Sequence, residues 1–242
     1  MSGGRGIEWL VRRPIAHRGL HDGNVTLAEN SLAAAKAAVA AGYAIECDVQ
    51  LSAEGTPFIF HDGALKRLTG IDGAFRETDD ATLRGLALTA GAEPIPTVEE
   101  FLAVVDGAVP VVMELKGLSA AEDEGYVERL RPPLSAYRGE LALMSFDPWL
   151  IDQLLAAALP YPVGLTAEGM RPEHLHLHRE IFERGCDFVS YNVHHLRNEF
   201  IGWVRNERRA PVISWTVRNQ DEAARSAMHA DQITFEGFAP QH

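Results

Sequence analysis

The chain has 242 residues, 46% hydrophobic and 23% charged, so it carries enough apolar material for a full core without disulfide or metal staples. Its formal net charge of −12 disfavours a nucleic-acid partner, and no apolar run approaches the length of a membrane span, so no stable membrane association is expected. The only cysteines, Cys47 and Cys186, fall inside apolar strand-like runs and are expected as buried thiols; with no signal core near the start, a reducing cytoplasm is the expected location.

From Pro14 onward, short β-rich runs alternate with longer helical patterns, the signature of repeated βα units and a parallel sheet. The first strand is predicted near Pro14–His17, followed by an Ala-rich helix over Ser31–Ala41 that Gly42 ends. A second strand over Ile45–Leu51 leads into a weakly periodic, glycine-rich stretch between His61 and Thr97. This is expected to be a small insertion (about 62–96) with one helix near Asp80–Leu86. Thr97-Val98-Glu99-Glu100 is a capping box opening a helix to about Val105. Strands follow at Val109–Leu115, Leu141–Ser145, Pro162–Thr166, Phe188–Tyr191, Val212–Val217 and Gln232–Phe235. Asp147-Pro148 pairs an N-cap with proline at the first helical position and launches Trp149–Ala158, while Asn219 opens a helix to about His229.

Eight strands with interleaved helices predict an α/β fold, a TIM (β/α)8 barrel with a small insertion after the second strand. Gln241 and His242 follow the last strand almost at once, so the final helix is expected to be reduced, with Ile7–Leu10 covering the exposed flank. No linker or internal repeat divides the chain, and a single domain over 1–242 is expected.

Side chains two apart in a strand share a face, so Glu46 and Asp48 point one way while Ile45, Cys47 and Val49 point the other. Two acids on one buried face repel unless a cation sits between them. Glu114 and Lys116 share a face on the third strand, and a parallel barrel brings Glu114 beside the first two acids. Three carboxylates with open positions suit Mg²⁺ or Ca²⁺ rather than Zn²⁺. A lumen ion-pair network around Lys116 is the competing explanation, and it leaves negative charge unbalanced. His17 and His61 stand apart from the other histidines because each closes an apolar β-run and precedes a polar turn. His174, His176 and His178 are expected on a solvated loop or helix edge, and His194-His195 near the rim of the sixth strand is left without a role.

His17-Arg18-Gly19, Glu29-Asn30-Ser31, Glu46-x-Asp48-Val49, His61-Asp62, Glu114-Leu115-Lys116, Ser145-Phe146-Asp147 and Trp215-Thr216-Val217 follow one another in an order and spacing that resembles the glycerophosphodiester phosphodiesterase family. The likeness runs from about Pro14 to Thr234. It implies a TIM barrel with one divalent cation, Glu46, Asp48 and Glu114 as its ligands, His17 and His61 as acid and base, and Arg18 and Lys116 on the phosphate. Glu29 and Asn30 match an element taken as supporting, with Asn30-Ser31 capping the first helix. Phe146 and Trp215 are expected to wall the substrate or simply to pack in the core. One departure stands out: after Ile233-Thr234 the family usually carries an Asp, and this chain has Phe235-Glu236-Gly237.

The implied reaction is hydrolysis of a small-molecule glycerophosphodiester to glycerol 3-phosphate and an alcohol. A lipid phosphodiesterase of lysophospholipase-D type keeps the site but needs an apolar approach to its substrate. A non-catalytic phosphate-ester-binding barrel, or an unrelated lyase or isomerase on the same fold, are the readings outside that class. The sequence leaves open the alcohol, Mg²⁺ against Ca²⁺, the nucleophile and the oligomeric state.

Overall fold

The computed structural model describes residues 6–240. Its elements in order are β1 (Ile15–Ala16), α1 (Leu32–Ala41), β2 (Ala44–Leu51), β3 (Pro57–Ile59), α2 (Lys66–Thr69), α3 (Asp80–Gly85), α4 (Val98–Val105), β4 (Val111–Leu115) and α5 (Tyr126–Ala136). There follow β5 (Leu141–Ser145), α6 (Pro148–Ala157), β6 (Val163–Ala167), α7 (Pro172–Glu183), β7 (Phe188–Asn192), α8 (Glu199–Trp203), β8 (Val212–Val217), α9 (Gln220–Ser226) and β9 (Gln232–Phe235). The sheet order β1-β9-β8-β7-β6-β5-β4-β2, closed by pairing of β1 with β2, makes a barrel of eight parallel strands with helices between them, a TIM barrel. β3 is the apolar run that His61 closes, not counted among the eight expected strands, and it adds antiparallel to β2 at the start of the insertion.

The helices begin and end where local chemistry directs. Ser31 accepts from Ala34 N–H at 3.0 Å, and Gly42 ends α1 in the left-handed region. Thr97 and Glu100 form the reciprocal capping box. Two expectations need correction. Asp147 stands at the N-cap of α6, but its carboxylate accepts from Gly117 N–H (2.8 Å) on the neighbouring loop instead of capping. Asn30 does not cap α1 either; it is bound to Asp48, as described below.

Strand alternation sorts the barrel into an outer and an inner layer. Outward side chains such as Ile45, Cys47, Val49, Val111, Met113 and Leu115 form the main core with the helices. Inward side chains change character along the axis. At the N-terminal end, Ile15, Ala44, Val112, Ala142, Phe188 and Ile213 are apolar, and Trp9 and Leu10 from a 3-10 turn at Glu8–Val11 pack among them. The amino-terminal segment therefore plugs the barrel floor rather than a flank. An open apolar layer at the bottom of the lumen would otherwise face water, at roughly 1.5–3 kcal/mol per large side chain left exposed. The Phe188 ring fills the lumen so closely that a Cβ on Gly164 would lie 2.3 Å from it. At the opposite end the inward positions become charged.

The insertion carries a small core of its own, in which Phe58, Phe60, Leu65, Leu68, Phe75 and Leu83 are buried and the rings of Phe60 and Phe75 stack at 4.8 Å. The helix expected near Asp80–Leu86 is α3, capped by Asp79. Among the described residues no helix follows β9, and none is long and apolar enough to cross a membrane. Cys47 and Cys186 are both buried and free.

Candidate active site

The charged end of the lumen is built by β2 and β4. Asp48 lies opposite Glu114 in the ladder, and Glu46 shares the inward face with Asp48. Oxygen atoms of all three acids lie within 4.8 Å of one another, and all three residues are buried. The cations that reach them are unevenly shared. Lys116 Nζ donates to Glu114 and lies 3.1 Å from Asp48 Oδ1, while Arg18 Nε lies 3.2 Å from Asp48 Oδ2. Among the described residues, Glu46 receives only the Arg18 backbone N–H, at 3.0 Å, as a hydrogen bond to its carboxylate. Burial, and then repulsion from Asp48 and Glu114, push its pKa well above the usual carboxylate range. Asp48 moves the other way: burial opposes its ionisation, but Lys116 and Arg18 outweigh it.

The donor set fits a divalent cation. Three clustered carboxylates face two side-chain cations, of which Arg18 is shared with Glu29, so the cluster holds surplus negative charge that a hard, oxygen-seeking ion neutralises. A second group of possible ligands, Glu29, His61 and Asp62, is already neutralised: Arg67 bonds both oxygens of Glu29 (2.7 Å each) and both of Asp62 (2.6 and 2.7 Å).

Arg18 and His17 owe their positions to a turn. Arg18 adopts φ of 56° and Gly19 φ of 79°, which turns the Arg18 N–H toward Glu46. Glycine is required at 19, because a Cβ there would sit 2.9 Å from that of Ala34 on α1. Asn30, also at positive φ, brackets Asp48 by donating to Oδ2 (2.9 Å) and accepting the Asp48 backbone N–H (3.2 Å). Glu29 binds Arg18, Arg67 and Asn24, and its pKa drops to about 2, these partners outweighing burial.

The two histidines flank this cluster. His17 Nδ1 is 2.6 Å from Glu236 Oε2, and its Nε2 is 3.9 Å from Glu46 Oε2. Burial lowers its pKa. His61 Nδ1 is 2.8 Å from Asp62 Oδ1, whose carboxylate is held ionised chiefly by Arg67. His17, Arg18, Glu46, Asp48, His61, Glu114 and Lys116 all line one cleft of about 300 Å³, with Phe146 and Trp215 on its wall. Those two rings meet edge to face at 5.4 Å. Larger hollows of about 450 and 470 Å³ elsewhere on the surface contain no histidine and lie away from this cluster.

Several lining residues carry no local sequence signal. Met144, Ser190 and Thr234 reach the cleft by strand alternation alone, Thr216 joins its neighbour Trp215 there where β8 breaks register between Ser214 and Val217, and Arg218 follows β8 at its rim. Arg67 comes from a four-residue helix in the weakly periodic insertion, where nothing in the pattern marks it. Glu29 and Asn30 stand behind the lining, in contact with Arg18 and Asp48. His176 is the exposed helix-edge residue expected, pairing with Glu180 at 3.2 Å, whereas His178 packs on Tyr191 and burial pulls its pKa to about 4. His194 and His195 form a 3-10 turn after β7 and do not line the cleft.

Residues 17–233 match the glycerophosphoryl diester phosphodiesterase family. No curated protein gives a match. Among solved structures, a phosphodiesterase from Oleispira antarctica in complex with the product sn-glycerol-3-phosphate is 23% identical, over 94% of this chain and 93% of that one, with a TM-score of 0.77. A glycerophosphodiester phosphodiesterase from Thermotoga maritima is also 23% identical, over 93% of this chain and 94% of that one, with a TM-score of 0.72. One from Parabacteroides distasonis is 21% identical, over 92% of each chain, with a TM-score of 0.74. At these identities the structural likeness is one of fold; the family match over most of the length goes further, and the chain is an enzyme of the glycerophosphoryl diester phosphodiesterase family.

Proposed function

We propose that this enzyme hydrolyses glycerophosphodiesters to glycerol 3-phosphate and a free alcohol, with Glu46, Asp48 and Glu114 holding one Mg²⁺ or Ca²⁺ ion. The observation that carries the reading is the convergence of three buried carboxylates, two histidines and two cations on one small cleft. A divalent ion bound there supplies Lewis acidity and neutralises charge that builds on the phosphoryl oxygens. Arg18 and Lys116 take the remaining phosphate charge, Arg18 through a planar fork suited to two oxygens.

His17, the more buried of the pair, removes the proton from the nucleophile, which is either water or the neighbouring hydroxyl of the glycerol. His61, a third exposed on its side chain, protonates the departing alkoxide as the P–O bond breaks, and solvent can then reload it. When the nucleophile is the glycerol hydroxyl, a cyclic phosphate forms first and water opens it with the two roles exchanged. Phe146 and Trp215 wall the alcohol or glycerol side. The single domain spans the chain, with the insertion contributing Arg67 and Asp62 behind His61.

Incubation with a panel of glycerophosphodiesters, read by release of glycerol 3-phosphate, tests the proposal. Turnover of glycerophosphocholine or glycerophosphoethanolamine well above that of lysophosphatidylcholine is expected. Preference for lysophosphatidylcholine would move the enzyme to the lipid class, and no turnover of either would refute hydrolysis of this bond type.

A further inference from the structure

We propose that Glu236 is the positioning residue for His17. β1 and β9 close the barrel in the register Ala16↔Phe235, so His17 and Glu236 form the next rung, and His17 N–H donates to Phe235 O at 2.9 Å. Side chains alternate along β9. Thr234 faces the cleft, and Phe235 turns outward into the main core against Tyr43 (ring centroids 4.8 Å) and Phe238 (5.8 Å). Glu236 thus returns to the inner side, where an acid at 235 in this conformation would not. The phenylalanine serves packing, and the acid one residue on reaches the histidine.

Its carboxylate is divided between two partners. Oε2 accepts from His17 Nδ1 at 2.6 Å, and Oε1 accepts from Arg218 Nε at 2.7 Å. A carboxylate on Nδ1–H fixes the imidazole in one tautomer and leaves Nε2 with its lone pair toward the reacting centre. Nε2 is also the nitrogen on the side of Glu46. Arg218, anchored through its backbone N–H to Glu222 on α9, in turn keeps the Glu236 carboxylate from rotating. Were Glu236 only a rim partner for Arg218, its removal would leave the histidine untouched.

The proposal rests on His17 being the base, and its test separates the two ideas. In ¹⁵N spectra at mildly alkaline pH, where imidazole is neutral, wild-type His17 is expected wholly as the Nδ1–H tautomer. Glu236→Ala should give a mixture with the Nε2–H form, and Glu236→Gln, whose single acceptor oxygen is taken by Arg218 so that its NH2 faces Nδ1, should shift His17 toward the Nε2–H form. In kinetics, Glu236→Ala should lower kcat by on the order of 10²-fold with KM little changed, Glu236→Asp should recover part of the loss, and Glu236→Ala should cost nothing more in a His17→Ala background. An unchanged tautomer in Glu236→Ala, or a kcat loss that adds in full to that of His17→Ala, would overturn the proposal. If Glu236→Ala does not fold, Glu236→Gln carries the kinetic arm, with a kcat loss confined to the His17-containing enzyme expected and wild-type turnover overturning it. If the wild type turns over no glycerophosphodiester, the proposed function fails while the spectra still decide this point.

Discussion

The two histidines that face the cleft are held by different parts of the molecule. His17 sits on the seam where the first and last strands close the barrel, and its partner Glu236 is 219 residues away in the chain. His61 sits at the exit of the β2–β3 hairpin, and its partner is the adjacent Asp62, clamped from outside by Arg67 of the insertion. The side chain of His17 is 13% exposed and that of His61 32%. One therefore depends on barrel closure and the other on how the insertion packs. The contrast shows how a symmetric barrel makes two like residues unlike: a buried position suits taking a proton in a closed site, and a half-open one suits exchange with solvent.

The largest effects should come from the imidazoles themselves. His17→Ala and His61→Ala are each expected to lower kcat by roughly 10²–10⁴-fold while thermal unfolding stays close to wild type, because neither ring belongs to an apolar core. Steady-state kinetics with a melting curve checks both, and near-normal turnover in either variant would remove that histidine from the scheme.

Arg67→Ala sharpens the comparison. It frees Asp62 and takes away half of the Glu29 clamp without touching the His17 side. A kcat loss of about 10-fold is expected, vanishing in a His61→Ala background and persisting in His17→Ala. Equal persistence in both backgrounds would show that the insertion supports the whole cleft rather than one histidine.

A smaller effect concerns stability. Glu29 has its folded pKa depressed from its ordinary value of 4.5 to about 2, so its ion pairs stabilise the fold above pH 4.5 and lose that contribution as pH falls toward 2. Glu29→Gln should cost about 1–2 kcal/mol in urea unfolding at neutral pH, once Arg67, half exposed, is discounted for solvent screening. The difference from wild type should shrink steadily on acidification below pH 4.5. A penalty independent of pH would mean that Glu29 acts by shape alone.

Local periodicity made the barrel legible. Glu46-x-Asp48 and Glu114-x-Lys116 announce their shared face because alternation needs no tertiary knowledge, and Ser31, Thr97 and Asn219 mark helix starts by chemistry confined to one turn. What was illegible is non-local. Asn30 carries the composition of a cap yet binds Asp48, 18 residues on, and Asp147 does likewise with Gly117. Trp9 and Leu10 read as a flank cover because nothing local distinguishes a flank from a floor. Arg67 and Arg218 are ordinary surface cations until the insertion and the β8 rim carry them to Asp62 and Glu236. The family resemblance supplied the cleft residues, and closure of the barrel supplied the partners behind them.

The central claim is that the acids on β2 and β4 bind one cation that the reaction requires. Chelator-stripped enzyme should be titrated with Mg²⁺ or Ca²⁺ while release of glycerol 3-phosphate from glycerophosphocholine is followed. The account predicts negligible turnover without metal and recovery that saturates at one ion per chain in the wild type, with much weaker recovery in Glu46→Gln. Full turnover of the stripped enzyme in excess chelator would contradict it.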